Sequence, residues 1–251
     1  MKKKWVKAVV IAAVALVAAA GLAALTIWVI LPAVKYSQAG KLADSSDYAA
    51  AYDVYDGLGD YRGAQARKDQ LQTKIIESRT LGATMTFGGY EWLVLEQRNG
   101  KALLLMQDVL ETRPYNESGM DTTWEACTLR MWLNGQFYEK FNEADRAKIV
   151  ETDVVNNDNA QGDEGKVDGG GDTRDRVFLL SLAEAKLYFP DDMSRAASAA
   201  DGRASSWWLR SPGSIPILAC VVRFDGGVGD SGTPVSSNDR GVRPAMWITV
   251  G

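Results

Sequence analysis

The longest apolar run in the chain lies close to its N-terminus. Residues 8–31 contain no charged side chain, and at about 1.5 Å per residue a helix of this length crosses a hydrocarbon core of roughly 30 Å. Lys2, Lys3, Lys4 and Lys7 precede the run, which keeps that end in the cytoplasm by the positive-inside rule. The pattern predicts a cytoplasmic tail over residues 1–7, a transmembrane helix over residues 8–31 and an extracytoplasmic remainder in the cell membrane. A cleaved export signal is the alternative.

The next stretch, residues 34–78, repeats its apolar positions every three or four residues, which predicts helices. Asp44 to Asp47 separates the first two helices and Gly57 to Asp60 ends the second. The sequence SDYAAAYDVYDGLGDYRGAQ resembles the short tetratricopeptide-like units that often separate an anchor from a globular head. One such unit cannot bury its own apolar face, so we interpret the stretch as a helical collar or stalk.

From residue 80 onward the pattern changes to alternating strands with occasional helices. Arg98 to Lys101 supplies an Asn-Gly turn for a hairpin, and residues 123–141 predict a helix that breaks near Asn134. The sequence predicts a long polar loop over residues 156–175, a buried strand over residues 177–180, and a helix that opens with a capping box of Ser181 and Glu184. The region after Ser205 is rich in turns and short strands. The chain after residue 80 is therefore predicted to be one α+β domain.

The amino-acid composition excludes several kinds of catalysis and binding. The chain contains no histidine, which excludes Ser-His-Asp and Cys-His catalysis and removes the commonest metal ligand. The net charge of −4 and the lack of a basic stripe beyond the N-terminus argue against nucleic acid as a partner. Cys127 and Cys220 are too few for a disulfide framework and fit no metal motif. We therefore predict no catalytic residues, no cofactor and no metal site.

Five sequence blocks carry a resemblance to a known family. They read YEWLVL from Tyr90, TW with LRMWLN from Thr123, FLLS with Glu184, WWLRSPG from Trp207 and GVRPA from Gly241. In this order they resemble an uncharacterised bacterial extracellular domain family. Its layout is similar to the C-type-lectin-like fold shared with formylglycine-generating enzymes and with the variable proteins of diversity-generating retroelements. The resemblance implies a C-type-lectin-like binding domain over residues 80–251.

Most of the large side chains in these blocks have a structural interpretation. Trp207, Trp208 and Trp247 offer apolar area typical of a core. Arg210 and Arg243 stand between apolar residues, and we expect each guanidinium to bind loop carbonyls or a carboxylate such as Asp175.

Residues 214–240 lie between the last two blocks and contain no Lys, Glu, Gln, Met or Trp. In retroelement-diversified proteins these five types cannot arise at the randomised codons, so the resemblance suggests a hypervariable segment. A Gly- and Ser-rich loop region with few long side chains is the plain alternative. The predicted function is binding of an unknown protein or glycan ligand through this segment. The predicted ligand face consists of Ile215, Ile217, Leu218, Arg223, Phe224, Asp230, Ser231, Ser237, Asn238 and Asp239.

Two other functions compete with ligand binding. A formylglycine-generating-like enzyme requires paired reactive cysteines, but Cys127 and Cys220 stand outside any cysteine-rich motif. The run from Asn157 to Gly162 with Asp168 loosely echoes a calcium loop, although its first position is Asn and no helices are predicted to flank it.

Overall fold

The computed structural model describes residues 29–45, 47–77, 83–160 and 165–250. Three helices open the described part: α1 (Leu31–Asp44), α2 (Tyr48–Asp56) and α3 (Ala64–Glu77). The Asp47 side chain caps α2 by accepting a hydrogen bond from the Ala50 amide at 3.2 Å. The Tyr36 ring of α1 packs edge-on against the rings of Tyr55 and Tyr61, with centroids 5.3 and 6.1 Å away. These contacts join α1 to α2 and to the turn that precedes α3.

The prediction of a transmembrane helix over residues 8–31 requires correction. Within the described ranges, no helix combines the length and the apolar character needed to cross a membrane. Residues 1–28 lie outside the described part of the chain, and Leu31 begins α1, which continues to Asp44 and carries several polar side chains. The predicted cell-membrane location with a cytoplasmic N-terminus rested on that helix, and we do not retain it.

Fourteen strands follow in the rest of the described chain. They are β1 (Thr84–Phe87), β2 (Tyr90–Arg98), β3 (Lys101–Met106), β4 (Glu111–Thr112), β5 (Ile149–Val150), β6 (Thr152–Val154), β7 (Thr173–Asp175), β8 (Ala197–Ser198), β9 (Ala204–Ser205), β10 (Trp207–Pro212), β11 (Leu218–Val222), β12 (Val228–Pro234), β13 (Gly241–Val242) and β14 (Ala245–Thr249).

Two five-stranded sheets contain most of these strands. The first has the order β1-β2-β3-β14-β5 and is antiparallel throughout. The second has the order β12-β11-β10-β13-β4, with β10 and β13 parallel and the other pairs antiparallel. The β2–β3 hairpin turns at Asn99 and Gly100, whose φ angles of 48° and 69° suit the predicted Asn-Gly turn. That local prediction is confirmed.

Short helices connect the sheets: α4 (Thr128–Trp132), α5 (Glu143–Arg146), α6 (Leu182–Tyr188) and α7 (Asp192–Arg195). The helix predicted over residues 123–141 is in the right place but is interrupted. Cys127 is extended, with φ −72° and ψ 149°, and a π-helical turn covers Leu133–Phe137. The strand predicted over residues 177–180 is wrong, because Phe178 forms only an isolated bridge with Ala245. The capping box of Ser181 and Glu184 at the start of α6 is confirmed.

Tryptophan side chains fill the centre of the domain. Trp207 and Trp208 are fully buried and Trp247 nearly so, which confirms their predicted place in the core. The buried indole N–H groups find acceptors, since Trp208 Nε1 donates to the Arg113 carbonyl at 2.8 Å and Trp207 Nε1 to the Arg195 carbonyl at 3.2 Å. The α+β class is as predicted, and the core belongs to both large sheets.

Candidate functional site

Arg210, in the WWLRSPG motif, is buried on β10, and its guanidinium binds four other residues. Its guanidinium donates to the Leu179 carbonyl at 2.9 Å and to the Val155 carbonyl at 3.0 Å. It also forms ion pairs with Glu184 of α6 and with Asp53 of α2, the latter at 3.0 Å. The carbonyl contacts match the expectation from the sequence. The carboxylate partners do not, because Asp175 pairs with Arg130 instead.

We call Asp53, Glu184 and Arg210 the Arg210 cluster. Burial raises the pKa of Asp53 well above the ordinary carboxyl value, and the negative charge of Glu184 raises it further. The Arg210 charge acts in the opposite direction but does not cancel these effects. Despite its own burial, Arg210 has a raised pKa because Glu184 and Asp53 stabilise its charged form. The pKa of Asp53 and that of Arg210 therefore each depend on the charges of the other cluster members.

Arg243, in the GVRPA motif, is equally buried but forms no ion pair with any carboxylate in the described part of the chain. Its guanidinium donates to the carbonyls of Met106 and Gln107, both at 2.8 Å, and to that of Arg195 at 3.3 Å. The guanidinium carbon also lies 5.0 Å from the centroid of the Trp207 ring. Burial lowers the pKa of Arg243 to about 10 despite the opposing effect of the Asp108 charge, so Arg243 stays protonated at neutral pH.

The predicted ligand face is distributed over both ends and one edge of the second sheet. Arg223 and Phe224 occupy the turn between β11 and β12, whereas Ile215 and Ile217 precede β11. The five residues of β11 place Ile217 and Phe224 on the order of 20 Å apart. The structure therefore does not bring the ten residues together. The exposed members are Ile217, Arg223, Phe224, Asp230, Ser231, Asn238 and Asp239, and the half-buried ones are Ile215, Leu218 and Ser237.

At one end, residues 191–195 and 223–227 form a surface that we call the Phe224 tip. Phe224 is 62% exposed and Met193, on α7, is 86% exposed. The buried Arg195 joins the two turns by donating from Nε to the Gly226 carbonyl at 3.0 Å. Gly226 has φ 82°, and a Cβ there would lie 1.6 Å from the Asp192 carbonyl oxygen. This close approach fixes the turn that carries Phe224.

At the opposite end, Ile217 lies beside the loop that contains Met120 and Thr122, for which the sequence predicts no regular element. The Thr122 amide donates to the Pro216 carbonyl at 3.4 Å, and Val235 donates to the Ile217 carbonyl at 3.0 Å. Met120 in this loop is 68% exposed and Ile217 is 38% exposed. Ile217 is less exposed than Phe224, and Met120 is less exposed than Met193.

Sequence reasoning missed Asp53, Met120, Met193 and Arg195. Met193 carried the clearest local signal, because it stands alone among polar residues in the run from Asp191 to Ser194. Asp53 carried none, since its partner Arg210 lies 157 positions away in the sequence.

The calcium and cysteine hypotheses find no support in the geometry. Among the described residues, no group of three or more His, Cys, Asp or Glu side chains is placed to hold a metal ion. Asn157 and Asn159 point inward and donate to backbone carbonyls of Asp53 and Gly213, at 2.7 and 2.9 Å. Both cysteines are free and buried, and burial raises each thiol pKa to about 12, the reverse of a reactive thiol.

Two clefts lie between the three N-terminal helices and the rest of the domain. The first has a volume of about 350 Å³ and is lined by parts of α1, α2 and the first sheet, with the Arg210 cluster in its wall. The second, of about 880 Å³, is lined by Tyr52, Lys186, Asp230 and the loop around Asn157, among others. Lysines and aspartates are mixed in the second cleft, so its charge favours neither anions nor cations.

The fold and these motifs define an α+β domain with a buried arginine in each of two motifs, and residues 99–250 match the family described as a domain of unknown function (DUF6273). The chain belongs to that family. The match contains Arg210, Glu184 and Arg243 but begins after β2, so Asp53 lies outside it. No curated protein and no solved structure matches the chain. The prediction of an uncharacterised domain family is thus confirmed, while the predicted C-type-lectin-like fold finds no counterpart among known structures and is not retained.

Proposed function

We propose that the chain is a ligand-binding protein, and that it binds another protein at the Phe224 tip. The observation that supports this most directly is the exposure of Phe224 and Met193 on two turns that Arg195 holds together. Aromatic and methionine side chains are enriched at protein interfaces, where a few such anchors supply most of the binding energy.

The rigidity of the tip strengthens the proposal. The Arg223 amide donates to the Gly227 carbonyl at 2.8 Å, and the Gly226 amide donates to the Arg223 carbonyl at 2.8 Å. A turn closed in this way loses little conformational entropy on binding. The charged side chains of Arg223 and Asp225 border Phe224, as expected for the polar rim of an interface.

A protein ligand suits this surface better than a glycan ligand. Sugars are bound by several convergent hydrogen-bonding groups, whereas Met193 and Phe224 contribute apolar area and no strong hydrogen-bonding group. A glycan would be expected instead where exposed polar side chains dominate, as at Asn238 and Asp239 between β12 and β13.

We also propose that sequence variation, if residues 214–240 are diversified, is confined to exposed positions. Cys220 is fully buried and Gly226 leaves no room for a side chain. Arg223, Phe224 and Asp230, by contrast, face solvent. An adenine-rich near-copy of this segment beside a reverse transcriptase gene would support diversification, and its absence from a complete genome would contradict it.

Selection of a phage-displayed library of random peptides on the immobilised chain tests the binding surface. We expect enriched peptides to bind the wild type and to lose at least tenfold in affinity for the variant with Phe224→Ala and Met193→Ala, since each anchor contributes on the order of 1–2 kcal/mol. Met131→Ala removes a methionine that is 58% exposed elsewhere and serves as the control. Peptides that bind all three proteins equally, or glycans on an array that depend on Asn238, would contradict the proposal.

A further inference from the structure

The Arg210 cluster joins parts of the chain that are distant in sequence. Asp53 belongs to α2, Glu184 to α6 and Arg210 to β10, and all three are nearly excluded from solvent. One guanidinium faces two carboxyl groups, so full ionisation leaves one uncompensated negative charge in the interior. Such a charge is costly, and binding of one proton removes it.

The carboxyl group of Glu184 has stronger hydrogen-bond and ion-pair contacts than that of Asp53. Glu184 accepts from the Ser181 amide at 2.8 Å, pairs with Arg210 through both of its oxygens, and lies in the first turn of α6. Glu184 therefore has hydrogen-bond donors at both of its oxygens and a guanidinium charge beside it. Asp53 pairs with Arg210 through one oxygen, and its other oxygen lies 3.5 Å from the Ser181 hydroxyl. Asp53 is therefore the carboxyl group that takes the proton.

We propose that docking of the helical segment, residues 31–77, onto the domain, residues 83–250, is coupled to protonation of Asp53, so that the contact tightens as pH falls and loosens as pH rises. The α2 helix reaches α6 and β10 directly at this side chain. The segment and the domain also meet at Asn157, whose amide donates to the Asp53 carbonyl at 2.7 Å.

The direction of the pH effect on docking follows from the pKa of Asp53 in the undocked and in the docked state. In the undocked helix the carboxyl faces water and keeps an ordinary pKa near 3.8. In the docked state burial and the Glu184 charge raise that pKa. Docking therefore takes up a proton: its stabilisation is complete below the ordinary pKa and is lost progressively as pH rises through the raised pKa.

Other charged groups near Asp53 are paired among themselves. Asp56, one turn later in α2, raises the pKa of Asp53 further, and its own charge is matched by Lys68 of α3 at 2.7 Å. Across the first cleft, Arg98 of β2 pairs with Asp47 at 2.6 Å. Since Asp53 lines that cleft of about 350 Å³, solvent protons have a route to the carboxyl group.

Hydrogen exchange of the full chain, followed by mass spectrometry over a pH series, tests the coupling. Protection factors of the α2 amides, Tyr48–Asp56, are corrected for the intrinsic pH dependence of exchange. In the wild type we expect them to fall by up to about tenfold per pH unit between the ordinary and the raised pKa, and to level off above it. In Asp53→Asn, which imitates the protonated group, they should not vary with pH.

Asp44→Asn removes an exposed carboxylate from α1 and is the matched control, expected to keep the wild-type pH dependence. Glu184→Gln is a second test that does not alter Asp53. It leaves one carboxylate for one guanidinium and preserves the capping geometry, so the pH dependence should shrink. Wild-type protection that is independent of pH, or an Asp53→Asn variant that falls like the wild type, would overturn the proposal. If Asp53→Asn does not fold, the wild type and Glu184→Gln decide the question.

Discussion

The two buried arginines of the family motifs differ in what they hold together. Arg243 finds all its hydrogen-bond acceptors at Met106, Gln107 and Arg195, within residues 99–250. Arg210 binds Glu184 inside the same stretch but also reaches Asp53 in α2, outside it. The difference shows that the stretch matched to the family is smaller than the structural unit, because one of its motifs is completed by the preceding helices.

The two sites also support different surfaces. Arg243 donates to the Arg195 carbonyl, and Arg195 in turn holds the Gly226 turn of the Phe224 tip. Arg210 instead holds the helical segment. The GVRPA motif is thus connected through Arg243 to the proposed binding surface. The WWLRSPG motif is connected through Arg210 to the contact between the helical segment and the domain.

The largest effect is expected from truncation at the edge of the family match. A chain of residues 99–250 lacks β1 and β2, so β3 keeps only β14 as a neighbour, and the buried Leu104 and Leu105 lose their paired residues Val94 and Leu93. We expect no cooperative unfolding transition, measured by tryptophan fluorescence in urea. A chain of residues 83–250 keeps both large sheets and should unfold cooperatively, at a lower urea concentration than the full chain. Equal midpoints for the two truncated chains would show that β1 and β2 are dispensable.

Removal of the Arg210 guanidinium is expected to have the next largest effect. Arg210→Met leaves the Asp53 and Glu184 carboxyl groups buried without their cation, which costs about 3–5 kcal/mol of the free energy of unfolding. Urea denaturation of the full chain measures this loss. Adding Asp53→Asn to Arg210→Met should recover part of it by removing one of the two carboxylates. Arg203→Met, at an exposed arginine, should leave stability unchanged. A small loss of unfolding free energy in Arg210→Met would mean that the Arg210 cluster contributes little to the contact between the helical segment and the domain.

Local features were predictable from the sequence because their physical causes are local. The Asn99-Gly100 turn, the Ser181 capping box and the burial of Trp207 each follow from a few neighbouring residues. The expectation that Arg210 and Arg243 bind carbonyls was also correct, since a guanidinium between apolar residues must find acceptors. The apolar run of residues 8–31 gave an equally clear pattern, yet the described helices include none able to cross a membrane.

Long-range partners were not predictable, because several carboxylates satisfied the same chemical requirement. Asp175 is one carboxylate that the sequence offers to Arg210, but its oxygens accept from Arg130 and the Trp124 indole. The spatial separation of the predicted ligand-face residues was not predictable for a similar reason. Residues 214–240 are contiguous in sequence, but the rise of β11 separates Ile217 from Phe224, and Arg195 joins the Phe224 turn to α7, which carries Met193.

The smallest effect is expected at Arg243, and it distinguishes the two arginines most sharply. Arg243→Met leaves the Met106, Gln107 and Arg195 carbonyls without this donor but creates no unpaired charge, so we expect a loss of about 2 kcal/mol, below that of Arg210→Met. Because Arg243 supports Arg195, amide exchange in the turn Arg223 to Gly227 should accelerate, while exchange in α2 should change less. Arg210→Met should produce the opposite pattern, with the larger acceleration in α2. If both substitutions affect the same amides to the same degree, the two arginines stabilise one common core, and the separation of helix contact from binding surface is wrong.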